Sequence, residues 1–427
     1  MNALGLLLEA FLYEEQTKRG IALNHFAELN DIADHCTICH RCLKPCPVNI
    51  DFGDVTVLVR KILKSHNKRK LNPGTAAAML FLNLNDNTAI NLMRKLMVSF
   101  SYPAQRYLSR LFSFKKSLPH TTGQSPVKQQ IVSFLKNPMP KDMPPRSLRA
   151  MLKIENQDSI PLIMNPATTD ENSEAVFYFP GCGSERLFSQ VGLSVLKWLH
   201  HLNVMTALPP GYICCGYPQR ATGDAGRAKK IITDNIVLLH RMAKALKFLN
   251  ITKIIVSCGT CLDQLLEYEL HKLFPKAEIM DIHEYLYEKG VQVDIKDGNY
   301  LLHDPCHSPD KKYDPVQMTS DLLNSETILS DRCCGESGTF AVSRADISTQ
   351  VKFRKLEEIE KNKRNLAAKK ILTTCPSCLQ GLLRAEAETK LKADYIIHEM
   401  TKQQFGTNWQ AEFIASLNPQ TVENILL

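Results

Sequence analysis

The chain has 427 residues, 44% of them hydrophobic and 22% charged, with a formal net charge of +8. This length and apolar content exclude a disordered chain and leave room for two to four domains with cores of their own. The basic residues are scattered apart from Lys61–Lys70, a run without interleaved aromatics. No nucleic-acid motif accompanies it, and it reads as a solvated helix end rather than a patch for an acidic partner or anionic membrane.

No stretch reaches the roughly 18 unbroken apolar residues of a spanning helix. At the start, Leu4, Leu7, Leu8, Phe11 and Leu12 recur at helical spacing. The segment lacks a basic n-region and runs straight into Glu14 and Glu15, so an amphipathic helix is expected rather than a signal peptide. The expected location is the cytoplasm, where cysteines point to metal or redox chemistry rather than disulfides.

Residues 1–112 read as a mostly helical domain, with helices at Val55–Lys64, Thr75–Leu82 and Ala89–Phe100, and with Asp54 and Asn72-Pro73 as starts for two of them. Residues 113–172 are crowded with proline and are expected as an irregular linker, apart from a short helix at Arg146–Lys153. After the linker the chain repeats itself, over 173–295 and 296–427. Each copy reads as strand, cysteine, Cys-Cys-Gly, long helix, strand, Cys-x2-Cys opening a helix, strand, then His-Glu. The fold class expected is an all-α ferredoxin-like domain followed by two pseudo-symmetric α/β domains with short parallel strands.

All fourteen cysteines fall into motifs. Cys36-x2-Cys39-x2-Cys42-x3-Cys46-Pro47 matches the bacterial ferredoxin run. The short spacings let one tight loop aim three thiolates at a single cluster, and the wider step carries the fourth away. A zinc site needs four ligands and usually takes them as separated pairs. In two-cluster ferredoxins the fourth cysteine serves the other cluster, and only one run is present here. Either Cys46 folds back to its own cluster, or the missing ligands come from another chain or from sequence upstream of Met1.

The repeated motif is Cys182…Cys214-Cys215-Gly216…Cys258-x2-Cys261, then Cys306…Cys333-Cys334-Gly335…Cys375-x2-Cys378. Neighbouring side chains normally point apart, and the following glycine permits an irregular backbone that turns both sulfurs inward. Four thiolates satisfy zinc or a cubane cluster. The fifth is surplus, or belongs to a more open, non-cubane cluster with an iron exposed to a substrate sulfur. Buried inert cysteines are the bland alternative. His303 and His307, which flank Cys306, and His283 and His398, which follow the Cys-x2-Cys helices, are either tuning partners of a cluster or structural histidines. Gly223-x2-Gly226 lacks the rest of a dinucleotide fingerprint and reads as a helix start, so neither a nicotinamide nor a flavin site is visible.

The two copies resemble the cysteine-rich CCG domain of the B subunit of heterodisulfide reductase, the glycolate oxidase iron–sulfur subunit and the C subunit of anaerobic glycerol-3-phosphate dehydrogenase. The resemblance covers about 173–400 and includes all ten repeat cysteines. ADHCTICHRCLKPCPVNIDFGDV and NPGTAAAMLFLN extend it to the C-terminal part of FAD-linked oxidases fused to iron–sulfur domains. In those, a flavin domain and a further cysteine run lie upstream of the helix that is Leu4–Lys18 here. This chain lacks both, so the first domain is expected to be incomplete at its N-terminus.

The resemblance implies an iron–sulfur subunit or fragment of an FAD-linked 2-hydroxyacid dehydrogenase. It would relay electrons from a flavin-containing partner chain or upstream domain toward a quinone or similar acceptor, with a peripheral contact at the cytoplasmic membrane face. Cys36, Cys39, Cys42 and Cys46 would hold a 4Fe-4S cluster. The two five-cysteine sets would hold one or two further clusters, and FAD would sit only on the partner. The alternatives are a disulfide reductase acting at a non-cubane cluster and a zinc-binding structural protein.

Overall fold

The computed structural model of the chain describes residues 29–112, 127–169, 173–295 and 298–427, with positions 9, 12, 13, 16 and 17 before them. Most of the expected helix at Leu4–Lys18, and 113–126 and 170–172 of the expected linker, lie outside the described residues.

The first segment is helical, as its periodicity requires. Helix α1 (Leu29–Ala33) precedes the cysteine run, and α2 (Phe52–Ser65) follows it. Asp51, not Asp54, caps α2, accepting from the Gly53 N–H at 2.7 Å. Asn72 caps α3 (Pro73–Leu82) in the same way, and Asp86 caps α4 (Asn87–Lys95). A π-helical turn, Leu96–Ser101, continues α4 into α5 (Tyr102–Phe112). The basic run begins on the exposed end of α2 with Lys61 and Lys64, but Lys68, Arg69 and Lys70 lie beyond the helix, and the largely buried Arg69 pairs with Asp34 at 2.6 Å.

The described part of the linker departs from the irregular chain expected of it. It forms α6 (Val127–Lys136), α7 (Leu148–Leu152) and strand β1 (Ser159–Ile163). Pro138, Pro140, Pro144 and Pro145 fall between these elements and terminate them rather than breaking them. Pro161 is tolerated inside β1 because its carbonyl faces the Leu208 N–H, 2.9 Å away, just past the end of the neighbouring strand, where no donor is required of it.

The first copy supplies β2 (Ala175–Phe179), α8 (Ser189–His201), β3 (Met205–Ala207), α9 (Tyr217–Ala221), α10 (Ala225–Ala245), β4 (Ile251–Val256), α11 (Gly259–Leu266), β5 (Glu278–Asp281) and α12 (Ile282–Glu288). The second supplies β6 (Tyr300–His303), α13 (Pro315–Leu323), β7 (Thr327–Leu329), α14 (Phe340–Ser343), α15 (Ala345–Leu366), β8 (Lys370–Thr373), α16 (Pro376–Leu383), α17 (Glu386–Thr389), β9 (Lys392–Tyr395) and α18 (Ile396–Phe405). Helix α19 (Trp409–Ser416) and β10 (Val422–Leu426) end the chain.

The first sheet runs β10-β1-β3-β2-β4-β5 and the second β7-β6-β8-β9. Within both, the strands of the repeat pair in parallel and in one order: second, first, third, fourth. Among the described residues, the antiparallel pairings are those that β1 makes with β10 and with β3. The chain is therefore mixed helix and sheet, with parallel-rich sheets. Its final segment, expected as the end of the second copy, returns to the edge of the first copy's sheet.

Alternation along β2 sends Val176 and Tyr178 to one face and Ala175, Phe177 and Phe179 to the other. The first face joins a core that continues through α8 and α12 to Leu301 and Leu302 of β6, so one apolar interior spans both copies. The second face packs on Leu239 and Met242 of α10. No helix among the described residues is long and apolar enough to cross a membrane.

Candidate metal centre

Each repeat cysteine lies where an α/β sheet places its functional loops, beyond the carboxyl ends of adjacent parallel strands. Cys182 follows β2, Cys258 follows β4, Cys306 follows β6 and Cys375 follows β8. Cys258 and Cys375 sit at the N-caps of α11 and α16 in extended backbone, so their sulfurs stand at the positive ends of helices. Gly216 and Gly335, after the paired cysteines, are both left-handed, with φ of 87° and 76°. Carbonyl partners fix the pairs: Asn235 donates to Cys214 O at 2.7 Å, Tyr268 to Cys215 O at 2.8 Å, and Ser348 to Gly335 O at 2.8 Å.

The result is one continuous row of thiols. It passes from Cys39 of the ferredoxin-type run to Cys306, Cys333, Cys334, Cys378 and Cys375 of the second copy. It continues through Cys258, Cys261, Cys215 and Cys214 to Cys182 of the first. Cys334 and Cys378 are 3.4 Å apart. None of these cysteines is in a disulfide.

Their acidities alternate because each sulfur acts on the next. Cys306 draws Cys39 down to about 5 and pulls Cys333 lower still. Cys333 in turn pushes both Cys306 and Cys334 up. Cys261 lowers Cys258, and Cys258 raises Cys375 to about 12. Adjacent buried thiolates cannot all ionise by themselves; a bound cation removes that conflict.

The two copies meet at this row through matching positions. Cys258 and Cys375, the same residue of the repeat, are neighbours. A Cβ on Gly259, after Cys258, would lie 1.8 Å from the His307 carbonyl, and one on Gly183, after Cys182, would lie 2.6 Å from Pro376. The Tyr395 hydroxyl reaches the carbonyls of Ser257 and Thr374, which precede Cys258 and Cys375, at 2.6 and 2.5 Å.

The ferredoxin-type run is less gathered. Only Cys39 joins the row. Cys36 Sγ accepts the Ile38 N–H and Cys46 Sγ the Ile50 N–H, both at 3.3 Å, and Cys42 Sγ lies 3.7 Å from Asp51. Ile38 and His40 take left-handed φ of 53° and 54°, unusual for a β-branched residue and the means by which this loop turns amides toward sulfur. Arg60 holds the loop, donating to the carbonyls of Ala33, Cys36 and Ala221. Ser337 donates to Thr37 O at 2.7 Å, and Arg41 pairs with Asp331 at 2.9 Å. Arg41, Arg332 and Arg354 line an open cavity of about 220 Å³ with Cys333 on its wall.

Among the histidines, His283 is occupied at both ring nitrogens, by Asp281 at 2.5 Å and the Ile397 N–H at 3.2 Å. His398 bonds Asp394 at 2.7 Å. His307 spans Asp263, Tyr217 and the Ile38 carbonyl, tying both copies to the cysteine run. His303 differs: it is fully buried and burial lowers it to about 3, so it is neutral. Gly223 presses on the Arg60 backbone and Asp224 caps α10, so that pair of glycines is a helix start. Arg41, inside the ferredoxin-type run, and Asp263, two residues after Cys261, stand beside cysteines in the sequence but carry no ligand pattern of their own, and only the fold joins Tyr395 to the site.

A cysteine-rich domain family model (CCG) matches residues 176–266 and 300–382, and a domain of unknown function (DUF3400) matches 384–427. The chain is 26% identical over 211 residues to an uncharacterized iron–sulfur protein of Methanococcus maripaludis, covering 48% of this chain and 40% of that one. It is 26% identical over 210 residues to the B subunit of fumarate reductase (CoM/CoB) of Methanothermobacter marburgensis, covering 47% and 40%. With lactate utilization protein A 2 of Bacillus cereus it shares 26% over 211 residues, 45% of this chain and 84% of that one. The matched part thus spans less than half the length of the first two relatives. The chain carries two cysteine-rich domains of the CCG type.

Proposed function

We propose that this chain, with its two CCG-type domains, is an iron–sulfur electron-transfer protein. Cys36, Cys39, Cys42 and Cys46 serve a ferredoxin-type 4Fe-4S cluster. Cys182, Cys214, Cys215, Cys258 and Cys261 serve one cysteine site, and Cys306, Cys333, Cys334, Cys375 and Cys378 the other. The carrying observation is the unbroken row of unbridged thiols shared by three separate segments. The donor set fits iron–sulfur clusters: soft thiolates, backbone N–H groups aimed at sulfur, helix N-termini, and a mostly buried, apolar surround. Zinc accounts for four of five thiols in each copy and leaves the fifth unexplained. The clusters, when bound, supply reversible one-electron chemistry.

This chain's own residues do the positioning. The amides of Ile38, Ile50 and Gly335 donate to Cys36, Cys46 and Cys333 at 3.3–3.4 Å and fix where those sulfurs point. Bulky aromatic and aliphatic side chains exclude water from Cys215 and Cys261. The Cys39–Cys306 and Cys258–Cys375 contacts support an arrangement of the three sites in series, and the reciprocal contacts at Gly183 and Gly259 support a pseudo-twofold pairing of the two copies. In this reading the donor is a flavin-containing dehydrogenase partner oxidising a 2-hydroxyacid, and the acceptor is a quinone or similar carrier.

The open cavity beside Cys333 favours one second reading, a disulfide reductase acting at that site. Protein purified without oxygen and mixed with a reduced flavodehydrogenase decides between them. Electron relay predicts bleaching of a brown chromophore, and thiols leave the paramagnetic spectrum of the oxidised protein unchanged. Disulfide reduction predicts a thiol-dependent change in that spectrum. A colourless, zinc-loaded protein would defeat both.

A further inference from the structure

The two cysteine sites differ at one matched position. Three residues before the first cysteine of each copy, at the end of its central strand, the first copy has Phe179 and the second His303. Phe179 belongs to the apolar cluster behind the first sheet. His303 is 1% exposed. Its Nδ1 lies 3.4 Å from the Ser330 carbonyl, and Lys355 holds that carbonyl at 2.7 Å. Its Nε2 is buried with no hydrogen-bond partner. A ligand nitrogen of His303 and the sulfurs of Cys334 and Cys378 all lie within 4.8 Å of one another.

A buried ring nitrogen without a hydrogen-bond partner destabilises the fold. It is kept where it has a use, and the bond at Nδ1 dictates which. With the Nδ1 proton directed at Ser330, the lone pair is on Nε2, the ring nitrogen left without a partner, the arrangement in which metal-bound histidines are held by a carbonyl behind the ring. The neighbouring histidines lack this freedom. Both nitrogens of His307 and of His283 are engaged.

We propose that His303 is a metal ligand through Nε2 at the second cysteine site, which then has a mixed nitrogen–sulfur donor set where the first site is all sulfur. This deepens the iron–sulfur reading and rests on it. Where the imidazole takes the place of one of the five thiolates as an iron ligand, a neutral donor stands in for an anionic one and raises the reduction potential of the cluster. The second site is then the more easily reduced of the two, and it is the one beside Cys39 and the arginine-lined cavity.

Pulsed electron paramagnetic resonance on wild-type protein, purified without oxygen, reduced, and grown with natural or ¹⁵N-labelled histidine, tests this directly. The expected result is a strong coupling from a directly bound nitrogen that changes to the ¹⁵N pattern on labelling. His303→Phe, which installs the residue of the first copy, is expected to abolish it and to shift one centre to lower potential. The labelling arm stands without the variant should His303→Phe fold poorly. Iron centres present without a bound-nitrogen coupling, or a coupling that survives in His303→Phe, would overturn the assignment while leaving the iron–sulfur reading intact. A protein with no paramagnetic iron centre would overturn both.

Discussion

Gly216 and Gly335 close the Cys-Cys-Gly turns with φ of 87° and 76°, and a Cβ on Gly335 would stand 3.0 Å from the Ser348 carbonyl. Gly335→Ala should therefore lose about 1–2 kcal/mol in urea unfolding, from the left-handed backbone alone. It should also lower iron content at the second site; a Gly335→Ala protein of unchanged stability would mean the turn is not needed. Glu278 supplies a second test at this scale. Lys253, then Lys312 of the other copy, hold its carboxyl below the usual carboxylate range. A depressed folded value means the contact stabilises above the unfolded value of about 4.3 and is lost as pH falls through the lower folded one. Glu278→Gln should flatten the acid limb of a stability–pH profile below about pH 4 and leave the neutral region little changed. The cysteines were legible because their spacing is itself the chemistry. His303 was not distinguishable from His307, its counterpart on the other side of Cys306, since a histidine's role depends on what its second nitrogen meets, and sequence does not give that.

Strands β2, β4, β6 and β8 were readable as short apolar runs ending at a cysteine, and the helices α10 and α15 by their period. Strands β1, β3, β7 and β10 were not. Three-residue strands such as Met205–Ala207 and Thr327–Leu329 show no period, and Pro161 argued against a strand where the pairing in fact tolerates it. Val422–Leu426 is mostly exposed and lacks an apolar stripe, so its place at the sheet edge comes mainly from backbone pairing with β1, with Val422 and Ile425 packed at the core margins. Removing residues 422–427 should unpair Ser159–Ile163, cost about 2–4 kcal/mol in lost backbone hydrogen bonds, and promote self-association through the bared edge. Thermal unfolding and light scattering on the truncated chain measure both. A truncation with unchanged melting and no association would show that β10 is dispensable.

Across the whole molecule, one apolar interior spans both copies, and the cysteine row runs along the seam between them and the N-terminal run. His307, Arg60 and Arg41 each bridge segments that are far apart in sequence. Repetition in the sequence announced two similar units; it did not announce that their equivalent cysteines, Cys258 and Cys375, would touch. The most direct measurement is the iron, acid-labile sulfide and zinc content of the full chain purified without oxygen, beside a Cys258→Ser/Cys375→Ser variant. Three clusters of cubane size would bring about twelve irons per chain, matched by sulfide and with zinc near zero, and the double variant should lose a large share of both. Stoichiometric zinc, or a wild-type protein without iron or sulfide, would contradict the assignment of these thiols.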